Sequence, residues 1–180
     1  MRTNIEIEFK CKIDEKTYNR LIDAFNLRDA IFLQTNYYFD DEKLSLLSRR
    51  LVLRIRKKSD TYYKVTLKSQ HHEETFEKHI LLTKEQALDM LENGFNVNEF
   101  FDFDCFVKHR ATLDNYRVSV VYENGKLFFD KCVYNDNVDY EIEYEALDYQ
   151  KGLETFNNFL KAEKIPFMTS KKKSERAFGK

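Results

Sequence analysis

The sequence predicts an α+β fold in which an antiparallel β-sheet closes into a barrel with helices packed outside it. Three observations predict this class. Many segments alternate between apolar and charged residues with a period of two, helical patterns are inserted between those segments, and the alternation recurs along most of the chain. A period of two is typical of β-strands. Strands with a few inserted helices favour an antiparallel arrangement over a regular βαβ sheet.

Length and composition limit the number of domains and the kinds of partner. A chain of 180 residues, 42% of them apolar, can bury one substantial core, so we predict a single domain over residues 1–180. The 30 basic and 31 acidic side chains give a net charge of −1, which offers no general attraction to nucleic acid or membranes. The three cysteines lack C-x-x-C spacing, and neither a signal-like start nor a long apolar run is present. These features predict a cytoplasmic protein.

The predicted elements follow the spacing of the apolar residues. Alternation and branched or aromatic content predict strands at residues 5–13, 34–40, 51–58, 61–68, 109–113, 116–123, 126–134 and 138–146. Capping residues and helical apolar stripes predict helices at residues 14–27, 83–93 and 148–164. Asn124-Gly125 is a hairpin signal between two strands. The Phe-rich residues 97–107 stay ambiguous, and the C-terminal residues are predicted as a basic tail.

The charged faces of the strands carry the functional argument. An ordinary antiparallel sheet turns such a face toward water, which is the better explanation for any single strand. Here the same design recurs on many strands, at Glu6, Glu8, Lys10, Arg54, Arg56, Lys58, Lys64, Lys68, Arg117, Asp130, Glu141, Glu143 and Glu145. If helices cover the apolar faces, closure of the sheet turns the charged faces inward. Because buried ions need partners, such a bore implies a charged ligand.

Acidic and basic residues are separated along the chain. Glu6 and Glu8 lie on the first strand and Glu141 and Glu143 near the last, whereas Arg and Lys dominate the strands between them. Alternate residues of a strand project together, about 6.5–7 Å apart. Facing carboxylates suit a hard cation such as Mg²⁺ or Mn²⁺, and the basic side chains suit phosphate oxygens. The pattern therefore predicts a metal-dependent phosphoryl-transfer site.

These residues resemble the CYTH superfamily, also called triphosphate tunnel metalloenzymes, and in particular its small single-domain bacterial members. The hallmark E-x-E-x-K is present at residues 6–10. That pentapeptide alone is a weak signal, but further matches follow in order over nearly the whole chain. They are residues 34–40 (QTNYYFD), 53–56 (LRIR), 66–68 (TLK), Arg110, residues 127–130 (LFFD), residues 140–145 (YEIEYE) and Lys171-x-Lys173-x-x-Arg176.

The resemblance implies an eight-stranded tunnel barrel and assigns the site residues. It places metal binding on Glu6, Glu8, Glu141 and Glu143, with Asp130 and Glu145 as helpers. It assigns triphosphate contacts to Lys10, Arg54, Arg56, Lys68, Arg110, Lys173 and Arg176. It also matches Glu74 to a tunnel glutamate, although Phe76 and Ile80 share its parity and indicate an apolar face. No residue is assigned as the general base.

The implied function is hydrolysis of a triphosphate with Mg²⁺ or Mn²⁺ as cofactor. Inorganic tripolyphosphate is the expected substrate, because no base-binding or thiazolium-binding motif is evident, and the products would be pyrophosphate and phosphate. An adenylate cyclase, a thiamine or nucleoside triphosphatase and a non-catalytic polyphosphate-binding module stay as alternatives. Retention of both acidic pairs argues against the last. The expected partner is a small-molecule triphosphate, with no nucleic acid and no membrane, and a homodimer stays open.

Overall fold

The computed structural model describes the backbone of residues 2–71 and 74–179, and the side chains of residues 7–69 and 76–179. The strands in this part of the chain are β1 (Arg2–Ile13), β2 (Phe32–Asp40), β3 (Leu51–Ser59), β4 (Tyr62–His71), β5 (Glu74–Leu82), β6 (Phe95–Asn96), β7 (Phe106–Tyr122), β8 (Gly125–Tyr134) and β9 (Asn137–Ala146). The helices are α1 (Glu15–Ala24), α2 (Ser45–Ser48), α3 (Lys84–Asn93), α4 (Tyr149–Ala162) and α5 (Lys173–Ala177). None of these helices combines the length and apolar character needed to cross a membrane.

The element predictions are confirmed for most of the chain and differ in several places. β7 is one strand, whereas the sequence predicted a break near residues 114–115. The strand continues because the polar Asn115 is buried and is the register partner of Cys132. β5 was not predicted, and the predicted basic tail contains the short helix α5.

The nine strands form an antiparallel sheet with helices, as the fold class predicted. Backbone contacts divide the chain into two compact units. The first unit comprises Met1–Ile5, Gln34–Leu113 and Ser174–Lys180, and the second comprises Glu6–Leu33 and Asp114–Lys173. Each unit has its own apolar cluster. Closure of the sheet into an eight-stranded barrel, which the sequence predicted, is not confirmed.

In the first unit the strand order is β2-β3-β4-β5, and β2 also pairs with β7. Alternate residues of these strands face an apolar cluster that includes Met90 of α3. Ile55 of β3 and Val65 of β4, for example, are fully buried in it. α3 begins at a capping box formed by Thr83 and Gln86, as the sequence predicted. The apolar side chains of this unit therefore point from one face of its strands toward α3.

In the second unit the strand order is β1-β9-β8-β7. Its apolar cluster contains Cys11 of β1 and Ile142 of β9, together with Leu21 of α1 and Phe156 of α4. Both helices have an aspartate N-cap, Asp14 for α1 and Asp148 for α4, whose side chain accepts a backbone N–H hydrogen bond. Because the helices cover one face of these strands, the alternate side chains project from the opposite face.

Candidate functional site

Buried charged side chains lie on the faces of the strands that are opposite to the helices. Along β1, Phe9 and Cys11 pack with the apolar cluster of the second unit, so Glu8 and Lys10 project from the other face. Among the described residues, the buried charged side chains are Asp40, Arg54, Glu77, Arg117, Asp130, Glu141, Glu143, Lys173 and Arg176. Asp40 caps α2 through the backbone N–H groups of Leu46 and Leu47. The others lie on strands or on α5 and form two groups, one in each unit.

Three carboxylates of the second unit converge at one point. Asp130 on β8 is the register partner of Glu141 on β9, and Glu143 follows two residues later on the same face. One oxygen from each residue lies within 4.8 Å of the others, and all three residues are buried. We call Asp130, Glu141 and Glu143 the carboxylate cluster. Its oxygen ligands fit a hard divalent cation.

Arg117 on β7 fixes two members of the carboxylate cluster. Its Nε donates to Asp130 Oδ1 at 2.7 Å and its Nη2 to Asp130 Oδ2 at 2.5 Å, while Nη2 also donates to Glu143 Oε2. The guanidinium carbon lies 4.4 Å from the ring centroid of Phe128. A two-point contact of this kind sets the orientation of a carboxylate as well as its charge state.

Lys173 contacts every member of the carboxylate cluster. Its Nζ lies 2.7 Å from Asp130 Oδ2 and donates to Glu143 Oε1 at 2.5 Å. It also donates to Glu141 Oε1. The hydroxyl of Ser170 donates to the other oxygen of Glu141 at 2.6 Å. The chain that leads into α5 therefore supplies a cation and a donor to the cluster.

The E-x-E-x-K motif meets the carboxylate cluster through its lysine. Lys10 Nζ lies 2.6 Å from Glu8 Oε1 and 3.7 Å from Glu143 Oε1. Lys10 and Glu143 are register partners on adjacent strands, which explains the contact. Glu8 therefore lies next to the cluster, with the lysine between its carboxylate and that of Glu143.

The ionisation of these groups is set by opposite charges rather than by burial. Burial raises the pKa of Asp130 and Glu143, but the nearby Arg117 and Lys173 outweigh it and hold both values below the usual carboxyl range. Burial likewise lowers the pKa of Lys173 and Lys10, whereas neighbouring carboxylates raise both above the ordinary lysine value. The second unit thus contains a network of buried, ionised groups at neutral pH.

The first unit contains a group of cations arranged around one glutamate. Arg54 Nη2 lies 3.5 Å from Glu77 Oε1, and Lys68 Nζ pairs with the same oxygen. Lys68 and Glu77 are register partners on β4 and β5. Arg56 Nε donates to the buried side chain of Asn36 at 2.8 Å. We call Arg54, Arg56 and Lys68 the basic cluster.

Further buried donors accompany the basic cluster. The side-chain nitrogens of Gln34 and Asn36, the Nε of Arg54 and the hydroxyl of Thr66 have no hydrogen-bond partner among the described residues. Arg54 and Thr66 are register partners, and Asn36 is the register partner of Arg56, so these groups share one face with the cluster. Because buried polar groups are normally satisfied, a face with this many spare donors suits an anion with many oxygens.

Two further predicted phosphate contacts belong to the first unit. Arg110 on β7 is exposed, and its Nε donates to the backbone oxygen of Asp40 at 3.3 Å. It lines an open cavity of about 440 Å³ with Phe106 and Lys108. Arg176 on α5 is buried.

The structure groups some of the predicted site residues and separates others. Lys173 meets Asp130, Glu141 and Glu143, and Arg54 meets Lys68 at Glu77, as described above. Glu145 has Glu8 and Lys126 as register partners and is not a member of the carboxylate cluster. Glu6 and Glu74 lie outside the residues whose side chains the structure describes. The metal-binding and substrate-binding roles assigned to these residues stay predictions.

Several residues of these groups were not assigned a role from the sequence, among them Glu77, Arg117 and Ser170. Glu77 could have been found, because Phe76 and Ile80 alternate with Glu77 and His79 and place these two on the charged face. Arg117 was recognised as part of a charged face, but its role as the partner of Asp130 depends on the register of β7 and β8. Ser170 carried no sequence signal.

Comparison with known proteins identifies the family. The sequence matches the CYTH domain over residues 4–178. The chain belongs to the CYTH family. A relative from Bacillus subtilis (strain 168), named "Putative triphosphatase YjbK", is 30% identical over 189 residues, which cover 99% of this chain and 96% of that protein. The family resemblance predicted from the motifs is therefore confirmed.

Solved structures share the fold of this CYTH chain. A putative adenylate cyclase from Bacillus halodurans superposes with a TM-score of 0.88 at 30% identity, covering 99% of this chain and 100% of that one. HpAC1 from Hippeastrum, described as a putative adenylyl cyclase with a dominant triphosphatase activity, has a TM-score of 0.71 at 21% identity, covering 97% of this chain and 94% of that one. At 21% identity, the likeness to HpAC1 shows only that the two proteins share a fold.

Proposed function

We propose that this CYTH protein is a metal-dependent triphosphatase that hydrolyses inorganic tripolyphosphate to pyrophosphate and phosphate. The observation that carries the proposal is the carboxylate cluster, in which three buried acidic residues lie within metal-binding distance of one another. A site that only bound an anion would not need buried carboxylates, because they repel phosphate. The relation to the Bacillus subtilis protein named as a putative triphosphatase supports the same activity.

The basic cluster is proposed to bind the polyphosphate chain. Arginine forks and lysine ammonium groups match the non-bridging oxygens of phosphates. In the first unit Arg54, Arg56 and Lys68 provide these charges together with the spare donors of their face. We assign Arg110 and Arg176 to the same role. Since each group is fixed by its strand or helix, binding places the phosphates with little further loss of side-chain freedom.

The carboxylate cluster is proposed to hold Mg²⁺ or Mn²⁺, with help from Glu8. When bound, the metal would neutralise phosphate oxygens and activate a water molecule for attack on the terminal phosphorus. Arg117 keeps Asp130 oriented and ionised, so that its oxygens stay available as ligands. In the overall reaction the water oxygen bonds to phosphorus, the bridging P–O bond breaks, and the water proton is released while pyrophosphate leaves.

The closed eight-stranded tunnel predicted from the sequence is part of this proposal. The pairing of β2 with β7 supports it, because these strands stand first and eighth in the strand order. A closed arrangement would leave no unpaired strand edge among the eight strands.

An adenylate cyclase is the second candidate, favoured by the likeness to the putative cyclase of Bacillus halodurans at 30% identity over nearly the full length of both chains. In that reaction the 3′-hydroxyl of ATP attacks the α-phosphorus and pyrophosphate leaves. A cyclase and a triphosphatase can use the same cations and metal. They differ in which phosphorus is attacked and in what holds the nucleoside.

The deciding experiment offers the purified protein tripolyphosphate, ATP and thiamine triphosphate, each with Mg²⁺ or Mn²⁺, and identifies the products. Pyrophosphate and orthophosphate from tripolyphosphate, at a kcat/KM well above that for the organic substrates, support the proposal. Cyclic AMP with pyrophosphate would establish the cyclase instead. Preference for an organic triphosphate would correct the substrate, and metal-dependent binding without any product would establish a binding module.

A further inference from the structure

The ammonium of Lys173 occupies the centre of the carboxylate cluster. It contacts one oxygen of each of the three carboxylates, at 2.7 Å for Asp130 Oδ2 and 2.5 Å for Glu143 Oε1, with Glu141 Oε1 also in contact. One oxygen from each of the same three carboxylates lies within 4.8 Å of the others, which is within reach of a single metal ion. An ammonium and a divalent ion bound to the same oxygens cannot be present together, because both need the same small volume and they repel each other.

We propose that Lys173 is a place-holding cation, which neutralises the carboxylate cluster before a divalent metal binds and is displaced when the metal arrives. The inference rests on the proposed metal centre and concerns how that centre is loaded. Three clustered carboxylates carry three negative charges. The single charge of Arg117 is shared between Asp130 and Glu143, and Lys10 lies 3.7 Å from Glu143. Without another cation the buried cluster would be strongly self-repelling. Lys173 removes that repulsion while keeping the carboxylates close enough to receive the metal.

The chain around Lys173 allows such an exchange. The backbone oxygen of Met168 accepts a hydrogen bond from the backbone N–H of Lys12 at 2.9 Å, which fixes the chain to β1 five residues before Lys173. Residues 169–172, which follow this anchor, have no helix or strand, and α5 is a helix of only five residues. Ser170 donates a hydrogen bond to Glu141 Oε2, and this contact would also break if the metal took that oxygen. A lysine side chain also has a long flexible stem, so its ammonium can withdraw without unfolding the sheet.

Displacement gives Lys173 a second role. Once the metal has taken its place, the ammonium is free to bind a phosphate oxygen, which is the role that the family resemblance assigns to it. Metal and triphosphate then bind cooperatively, because the metal releases a cation that the anion uses. By linkage the triphosphate must strengthen metal binding by the same factor.

Metal binding without substrate tests the competition. Free Mn²⁺ is measured by electron paramagnetic resonance during titration of the wild-type protein, Lys173→Met, Lys173→Arg and Lys161→Met. Lys161 lies on the exposed side of α4 and controls for loss of a distant surface lysine. We expect Lys173→Met to bind Mn²⁺ at least about tenfold more tightly, because a competing cation beside the site is gone. Lys173→Arg and Lys161→Met should stay near the wild-type affinity, and an unchanged or weaker affinity in Lys173→Met would overturn the proposal.

Hydrogen exchange tests whether Lys173 is displaced. A general effect of charge on Mn²⁺ affinity would not move the chain around Lys173. In the wild-type protein, Mn²⁺ should speed amide exchange in residues 169–177, since the ion removes the contacts between Lys173 and the carboxylate cluster. In Lys173→Met the same amides should exchange fast already and respond little to Mn²⁺. Equal or slower exchange in the wild type at saturating Mn²⁺ would show that Lys173 stays in place. Neither experiment contains a triphosphate, so tripolyphosphate hydrolysis, assayed separately, shows whether the proposed function has failed as well.

Discussion

Arg117 holds both carboxylate oxygens of Asp130, with Nε 2.7 Å from Oδ1 and Nη2 2.5 Å from Oδ2, inside a buried network. Removing one partner of a buried ion pair costs about 3–5 kcal/mol, but Lys173 would still pair with Asp130 and Glu143. We therefore expect Arg117→Met to lower the free energy of unfolding by about 3 kcal/mol, the lower end of that range. Urea denaturation at neutral pH measures it.

A surface ion pair of the same unit provides the matched control for Arg117. Arg20 pairs with Glu163 at 2.6 Å, and their side chains are 47% and 27% exposed, so water already screens the charges. Arg20→Met should lower the free energy of unfolding by no more than about 1 kcal/mol. Equal losses in the two variants would mean that Arg117 is not needed to compensate the carboxylate cluster.

Glu143→Gln tests the proposed metal centre. Glu143 belongs to the carboxylate cluster, and an amide cannot supply the charge that a hard divalent cation requires. We expect Mn²⁺-dependent release of phosphate from tripolyphosphate to fall by roughly 10²-fold or more, together with the affinity for Mn²⁺. The exposed Glu154→Gln on α4 is the control and should keep both.

The fold of Glu143→Gln should survive with reduced stability. The wild-type carboxylate is paired with Lys173, Arg117 and Lys10, so its removal leaves cations less compensated. Far-UV circular dichroism should therefore match the wild type while the unfolding midpoint falls. Normal turnover in a folded Glu143→Gln protein would remove Glu143 from the metal site.

Glu77→Gln tests whether a built-in anion competes with the substrate in the first unit. Glu77 pairs with Arg54 and Lys68, both of which we assign to phosphate binding. Loss of its charge should make these cations available to the substrate and lower the KM for tripolyphosphate by about tenfold. The change is smaller than a full charge-assisted hydrogen bond of roughly 1.5–3 kcal/mol, because the amide keeps part of the interaction with the cations. Initial rates measured against substrate concentration give the KM. A raised KM would instead show that Glu77 positions the two cations.

The parts of this structure that the sequence predicted are those set by local periodicity. The alternation in β1 and β9 placed Glu8, Lys10, Glu141 and Glu143 on one face because side-chain direction in a strand depends only on parity. Helices α1, α3 and α4 were predicted with their capping residues because caps are local hydrogen bonds.

The parts that were missed depend on contacts between distant segments. The pairing of Arg117 with Asp130 requires the register of β7 against β8, and that of Lys68 with Glu77 requires a strand, β5, that was not predicted. The placement of Lys173 among the carboxylates depends on the path of residues 166–172, which carry no periodic pattern. Glu145 shares the parity of Glu143, so parity alone could not show that it lies outside the carboxylate cluster.

Gly152 in α4 is predicted to resist substitution by alanine. A methyl group there would lie 2.4 Å from Ala146 Cβ and 2.7 Å from Phe9 Cε2, so the helix or the sheet must shift. Alanine normally favours a helix interior by about 0.5–1 kcal/mol over glycine, but overpacking of this kind costs about 1–3 kcal/mol. We expect Gly152→Ala to destabilise the protein in thermal unfolding, whereas Asn158→Ala, an exposed change in the same helix, should stabilise it slightly. A stabilised Gly152→Ala protein would refute the close packing of α4 on β1 and β9.

Acid should weaken the fold through the carboxylate cluster. The pKa values of Asp130 and Glu143 lie below their ordinary values of 3.8 and 4.5, because Arg117 and Lys173 outweigh the opposing effect of burial. As the pH falls, the unfolded chain therefore binds these protons first, so stability falls with pH. The stabilisation that Asp130 and Glu143 provide is fully present above about pH 4.5. It is lost as the pH falls through the lower pKa values that these groups have in the folded protein. Urea unfolding between pH 6 and about pH 3 should show this decline, and Glu143→Gln should show a shallower one because it has one titrating carboxyl fewer. An identical pH slope in the two proteins would mean that the acid sensitivity arises outside the carboxylate cluster.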